Sequence, residues 1–346
     1  MKRLLSWILI GVLLASSPVW ALAEEEKILN IYTWETYIDD DTIAAFTART
    51  GIKVNYAPMG SNDEMVAKLQ MNGGSEYDIV IASDYVLNIL RKEGLLHKLN
   101  KEALSHYGNL NPDYLSKFYD PDNEYAVPYM AGTPLIVYDS GKVGFEMTGY
   151  GDMWNPALKD SIVMIDDARV IIGITLKTLG ESFNVTDPAI LAQAKEKLFE
   201  LYPNIRAFDY DTPYNILLSG EATVAFMFTP QVQIALDENP DLVVVYPVEG
   251  MGYGIDNLVI PVNAPHPHNA ELFLDYMMEP EVAAYCALMQ YYMNPNKAAE
   301  AFLPEEYLTS PVLYIPPEIL GTPEFIEDVG EMESVYQEIW TEFRTR

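Results

Sequence analysis

The stretch that most constrains this chain is the run from Tyr77 to Ala82, apolar at every position from Ile79 onward, which empties into Ser83-Asp84-Tyr85. A short segment that is apolar at each residue, rather than at every second one, marks a strand buried on both faces. Such strands belong to parallel sheets covered by helices. The flanking sequence meets that demand. Asp41 to Thr50 carries Ile43, Ala44, Phe46 and Thr47 at helical spacing and stops at Gly51, a helix terminator. Ile52 to Tyr56 alternates as a strand, and Ser61-Asn62-Asp63-Glu64 opens a helix that Gly73-Gly74 closes. Strand and helix then keep alternating, which predicts an α/β fold.

A second unit of the same kind follows Val127 to Thr133. Ser161 to Ile165 reads as a strand, with Asp166-Asp167 at the cap of a helix over Ala168 to Leu179 that stops at Gly180. Pro188 to Leu201 reads as a helix leading to an acidic loop, Asp209-Tyr210-Asp211, and Thr223 to Phe228 and Leu242 to Tyr246 as apolar strands. The glycines of Gly250-Met251-Gly252-Tyr253-Gly254 permit sharp turns before Ile255 to Pro261. A last long helix is expected over Glu324 to Phe343, with Phe325, Val329, Met332, Tyr336, Ile339 and Trp340 on one face. At 346 residues the chain is long enough for about two domains.

Residues 1–23 have the form of a secretory signal, with a charged start at Lys2 and Arg3, an apolar middle from Leu4 to Leu14 and small residues at Ala21-Leu22-Ala23. The apolar middle is shorter than the roughly 20 residues that a membrane-spanning helix needs. No cysteine stands at the end of this leader to carry a lipid, so a diffusible periplasmic protein is expected. The single cysteine, Cys286, lies in an apolar helical run and excludes an intrachain disulfide; a buried inert thiol is expected there. Loss of Lys2 and Arg3 with the leader takes the formal charge from −30 to −32. Such a surface repels nucleic acid and anionic lipid and concentrates cations.

In open α/β sheets, ligands bind beyond the carboxyl ends of strands. That rule collects Trp34-Glu35-Thr36-Tyr37, Ser83 to Tyr85, Asp166-Asp167, Phe228 and Asp256. The set is rich in acids and aromatics and contains no Lys, Arg or His. Carboxylates pair with a cation and aromatic faces attract it. Each residue also has an ordinary structural use: Trp34 and Tyr37 as rim or core aromatics, Asp166 and Asp167 as helix caps, Phe228 as core. Catalytic patterns are absent: there is no Gly-x-Ser-x-Gly, no His-Glu-x-x-His and no phosphate-cradling glycine loop before a Lys. His266-Pro267-His268 lacks a third ligand and is expected to be a solvated loop rather than a metal site.

Several motifs recur in one order and spacing: the strand leading to Trp34 and Tyr37, Thr50-Gly51-Ile52-Lys53-Val54, Tyr77-Asp78-Ile79-Val80 ending at Ser83 and Tyr85, and Tyr125-Ala126-Val127-Pro128-Tyr129. They continue with Asp166-Asp167-Ala168-Arg169, Asp256-Asn257-Leu258-Val259-Ile260-Pro261 and Asp328-Val329-Gly330. Over essentially its whole mature length the chain resembles the periplasmic spermidine/putrescine-binding proteins of ABC importers. The resemblance implies a two-lobed periplasmic-binding-protein fold, each lobe a mixed, mainly parallel sheet flanked by helices. One lobe would hold residues 24–134 plus 257–299, the other 135–256 plus 300–346. It implies a monomer that binds a linear amine in the cleft and delivers it to an inner-membrane ABC permease, with no cofactor, metal or enzymatic role.

Carried over residue by residue, Trp34, Tyr37, Ser83, Tyr85, Asp167, Asp256 and Tyr292 match types this family uses at its ligand, and Phe228 stands where a tryptophan is usual. Four positions depart from the pattern. Thr36 occupies the place of the acid directly before Tyr37, displacing the carboxylate to Glu35. Val170 replaces a glutamate of spermidine binders, Gly254 an aromatic wall and Ile326 a glutamine. Asp167 and Asp256 remain, one acid for each end of a diamine, so a putrescine-like ligand is favoured over spermidine. Another small cationic or zwitterionic amine on the same fold is the alternative. An exported enzyme on this scaffold is a third, disfavoured by the missing nucleophile–base arrangement.

Overall fold

The computed structural model describes residues 25–346; the leader expected over residues 1–23 lies outside the described residues. Eleven strands are formed: β1 (Ile28–Thr33), β2 (Lys53–Pro58), β3 (Ile79–Ser83), β4 (Ala126–Gly132), β5 (Leu135–Tyr138), β6 (Ile162–Met164), β7 (Ile205–Phe208), β8 (Val224–Met227), β9 (Val243–Val245), β10 (Gly252–Val259) and β11 (Glu324–Phe325). They make two sheets. The first has the order β11-β10-β3-β1-β2, with β4 also on β10; the second has the order β7-β6-β8-β5-β9. In the first, β1 is parallel to β2 and β3, while β10 runs antiparallel to β3 and β4. In the second, β6 is parallel to β7 and β8, and β5 is antiparallel to β8 and β9. The fold is α/β with two mixed sheets, each flanked by helices.

The Ile79 to Ala82 run behaves as its composition demands, all four residues being fully buried in β3. Helix ends follow their local chemistry too. Asp39 caps the helix Asp40–Thr50 by accepting from the N–H of Asp41, and Gly51 closes it with φ 72°. Ser61 accepts from the N–H of Glu64 at the start of Asn62–Asn72.

Three chain passages join the sheets. Thr133-Pro134 carries β4 into β5, β9 returns to β10, and the chain beyond β11 enters the second core, where Tyr336, Ile339, Trp340 and Phe343 pack with Ile162, Met164 and Phe226. The first passage is pinned: Thr133 N–H donates to Thr229 Oγ1 at 2.9 Å, and that hydroxyl donates back to the Thr133 carbonyl at 2.9 Å. Residues 256 and 257, between which the sequence-based division into lobes was drawn, are neighbours within β10.

Three sequence expectations change. The final helix runs over Glu333–Arg344 instead of starting at Glu324. Glu324 and Phe325 form a strand edge on Gly252 and Tyr253. Glu324 is held there by Lys177 Nζ at 3.0 Å and the N–H of Phe183 at 3.1 Å, and Gly330, at φ 57°, separates the two elements. Long-range pairing has overridden helical periodicity. Whereas His268 is exposed, His266 is tied down instead of standing free in a solvated loop. Its N–H donates to the fully buried Asp78 at 2.7 Å, and its Nδ1 lies 3.1 Å from the same carboxylate. Asp166, gathered with the strand-exit acids, turns away to pair with Arg344. Cys286 is buried as expected, and burial pushes its thiol up to about 11.

Candidate functional site

Asp256 is the centre of the site. In the β3–β10 register it lies opposite Ser83, the last residue of β3. Its Oδ1 accepts from the Ser83 hydroxyl at 2.8 Å and its Oδ2 from the Tyr37 hydroxyl at 2.6 Å. Burial raises the Asp256 carboxyl above the usual carboxylate range, and these two hydroxyls pull it part of the way back.

Tyr37 is delivered by the turn after β1. Its N–H donates to the Trp34 carbonyl at 3.3 Å, with Thr36 at φ 62°, a left-handed conformation that few side-chain-bearing residues adopt. Tyr56 clamps that turn from β2, its hydroxyl donating to the Trp34 carbonyl while accepting from the Tyr37 N–H at 3.2 Å. The Tyr37 ring sits edge-on to Trp34 (5.4 Å between centroids), Tyr129 (5.5 Å) and Tyr292 (5.9 Å). Trp34, Tyr37, Ser83, Asp256 and Tyr292 therefore form one contiguous group. Tyr85 joins it through Asn62, whose Nδ2 donates to Ser83 Oγ at 3.1 Å and lies 3.3 Å from the Tyr85 hydroxyl. The Asn62 Oδ1 is buried with no partner among the described residues.

Glu35 and Thr36 are exposed at the tip of the turn. Neither side chain has a hydrogen-bond partner among the described residues; only the Thr36 carbonyl is engaged, by Gln290 Nε2 at 2.9 Å.

The second carboxylate comes from the other sheet. Asp167 follows β6 and caps the helix Ala168–Thr178, its Oδ1 accepting from the N–H of Val170 at 3.0 Å. Burial raises this carboxyl, while the N–H groups of Val170 and Arg169 lower it. The Arg169 guanidinium is committed elsewhere, to Glu333 at 3.0 Å, Asn184 at 3.1 Å and the Glu327 carbonyl at 3.0 Å. Neither Asp167 nor Asp256 forms an ion pair with Lys, Arg or His among the described residues. Phe228 stands at the start of the helix Thr229–Glu238 with its ring 5.9 Å from that of Tyr210.

Two electrostatic couplings join the halves. Partial burial and the carboxylates of Asp167 and Asp256 push the Tyr210 hydroxyl up to about 12. The Tyr85 hydroxyl, on the first sheet's side, is raised by burial and also by Asp167 from the second. Two acids and a set of aromatic faces thus converge between the sheets.

Sequence reasoning missed Asn62 and Tyr210, and it reached Asp84 at the exit of β3 without giving it a role. Applied at the ends of β2 and β7, the strand-exit rule reaches Asn62 and Tyr210; neither was collected, Asn62 because it stands inside a capping box and Tyr210 because the strand Ile205–Phe208 went unrecognised. Asp84 is buried beside Asp256, accepting from the N–H groups of Tyr85 at 2.7 Å and Ile255 at 3.1 Å. Burial pushes it up to about 8, with the nearby Asp256 charge adding to the shift. At the departures from the family pattern, Val170 and Ile326 pack into the second core, and a side chain starting at Gly254 would meet nothing within 4 Å.

Comparison with known proteins bears on this arrangement. A family model of bacterial extracellular solute-binding proteins matches residues 41–312. The spermidine/putrescine-binding periplasmic protein of Escherichia coli K12 is 34% identical over 345 residues, covering 99% of each chain. The putrescine-binding periplasmic protein PotF of the same organism is 32% identical over 338 residues, 92% of this chain and 91% of that one. Among solved structures, a spermidine/putrescine ABC transporter substrate-binding protein from Streptococcus pneumoniae, in complex with calcium and HEPES, superposes with a TM-score of 0.82. It is 32% identical, over 92% of this chain and 98% of that one.

Proposed function

This chain belongs to the bacterial extracellular solute-binding protein family, alongside the periplasmic spermidine/putrescine-binding proteins, and we propose that it binds a polyamine between its two sheets and delivers it to an inner-membrane ABC permease. The observation that carries this reading is the pair of desolvated carboxylates, Asp256 and Asp167, one from each sheet and neither paired with a cationic side chain. Half-buried carboxylates raised by their surroundings are costly to keep charged, the Arg169 charge easing Asp167 only in part, and a ligand with an ammonium at each end removes that cost at both sites together. Trp34, Tyr37, Tyr85, Tyr210, Phe228 and Tyr292 supply apolar area for a methylene chain and π faces for its ends. Ser83 orients Asp256, and Asn62 Oδ1 is a free acceptor for an ammonium N–H.

Two strong acids suit a diamine, so putrescine is favoured over spermidine. Glu35 and Thr36 lie at the rim and act on ligand entry more than on the ends of a bound diamine. Each sheet forms the core of one lobe, with β10 keeping Asp256 in the first and Asp167 following β6 in the second, and the lobes close on the ligand. The protein works as a periplasmic monomer without catalysis or cofactor; among the described residues no helix is long and apolar enough to cross a membrane.

The open space at Gly254 favours a second reading, in which a bulkier cationic or zwitterionic amine takes the cleft. A thermal-shift screen separates the two. Ligand at 100 times its Kd adds about 2.7 kcal/mol of stability, so a large shift with putrescine supports the first reading. A shift confined to a bulkier amine supports the second.

A further inference from the structure

Behind β10, on its other face, lies a second concavity. Alternate residues of a strand point to opposite faces, so Asp256 and Gly254 look into the amine site while Tyr253 looks away from it. Tyr253 lines a cavity of about 550 Å³ together with Tyr114, Tyr314, Phe325, Asp113 and Glu300. That volume falls within the roughly 300–1,000 Å³ of small-molecule sites. The rings form a connected wall: Tyr253 lies 5.6 Å from Phe325 and 6.4 Å from Tyr114. Two carboxylates, Asp113 and Glu300, face a single cation, Lys117. The Tyr314 hydroxyl donates weakly to Glu300 Oε1 at 3.5 Å, leaving that carboxylate free for a stronger donor.

We propose that this cavity is a second ligand site for a small monocationic aromatic amine, its ring against Tyr253 and Phe325 and its ammonium on Glu300, and that its occupancy tightens binding in the amine cleft. The aromatic wall and the surplus of one acid select the class, since an aromatic ring matches the wall and one ammonium balances the charge. The link to the cleft is built into the walls. Tyr253 sits three residues from Asp256 on the same strand, and Tyr307, which also lines the cavity, donates its hydroxyl to the carbonyl of Tyr292. Linkage makes the effect mutual. This coupling, though not the site itself, rests on the polyamine reading.

The test titrates 2-phenylethylamine calorimetrically into the wild-type protein, Asp256→Asn and Glu300→Gln. Binding below about 1 mM that survives Asp256→Asn and weakens about tenfold in Glu300→Gln is the expected result, that factor being the loss of a hydrogen bond to a charged group. Absence of binding in Asp256→Asn, or equal binding in Glu300→Gln, overturns the site. Putrescine titrated with saturating 2-phenylethylamine should bind at least about threefold tighter than without it; an unchanged or weakened Kd overturns the coupling. If the wild-type protein binds no putrescine at all, the polyamine reading falls, while the two variants still decide the site.

Discussion

Replacing Asp256 by Asn separates a ligand-binding role from a structural one, because the two make opposite demands. Each Asp256 oxygen accepts a hydroxyl proton, from Tyr37 at 2.6 Å and Ser83 at 2.8 Å, so the amide fits the volume but offers one acceptor where two are used. One hydroxyl must reverse its direction. Ser83 already accepts from Asn62 at 3.1 Å. The mismatch costs the unliganded protein about 1–3 kcal/mol. Against this, the carboxyl is raised on folding by burial, so its charge near pH 7 costs the fold free energy that the neutral amide does not. The opposing effects leave unliganded stability within about 1 kcal/mol of wild type, a shift of roughly 1–2 °C in Tm for a chain of this size. Ligand binding has no such compensation. Losing one member of a buried ion pair costs about 3–5 kcal/mol, which weakens amine binding by about two to nearly four orders of magnitude. Calorimetric titration with putrescine, beside a thermal melt without ligand, reads both quantities. A loss of affinity under about tenfold, or a collapse of the unliganded Tm, refutes the assignment.

Asp84, held at about 8, keeps its proton in the folded state where the unfolded chain releases it, so stability falls as pH rises from about 4 to about 8 and levels off above. Thermal melts across that range should show a flatter profile for Asp84→Asn; an unaltered profile would contradict the shift. Tyr210 is 53% exposed, so Tyr210→Ala should weaken amine binding by about threefold to thirtyfold, the range of a cation–π contact, with Tyr210→Phe retaining most of the affinity and neither changing the Tm appreciably. Gly132 ends β4 where a Cβ would stand 3.0 Å from Thr229 Oγ1 and 3.1 Å from the Tyr292 ring. Gly132→Ala should therefore cost about 1–3 kcal/mol in denaturant unfolding and also weaken the amine, since it displaces the Tyr292 ring that packs beside Tyr37.

What the sequence made legible was local. The apolar run at β3 and the glycines and caps at helix ends depend on nearest neighbours, and the structure forms them where the pattern puts them. At Trp34, Tyr37, Ser83, Tyr85 and Asp256 strand exits and family motifs coincide, Tyr292 is marked by the family pattern alone, and the fold gathers these residues near the Asp256 carboxylate. The misses share a cause. Tyr210 follows a four-residue strand interrupted by Arg206, too short to give a periodic signal. Asn62 carried a capping signature that explained its neighbourhood without reference to Ser83. Asp84 stands at a strand exit, but its burial rests on a donor 171 positions away, Ile255. The helix expected from Glu324 lost its first turns to pairing with Gly252 and Tyr253, which no local pattern announces. Asp167 caps a helix through its Oδ1 on Val170 while its charge reaches Tyr85 and Tyr210, so a capping signature leaves room for a second role.

The two opposed carboxylates between the sheets form the proposed seat for a linear diamine. Isothermal titration of putrescine and spermidine into the mature chain at moderate salt tests it most directly. One amine site per chain is expected, with putrescine bound more tightly than spermidine. Failure of both amines to bind below about 1 mM, a free energy of roughly −4 kcal/mol, would contradict it.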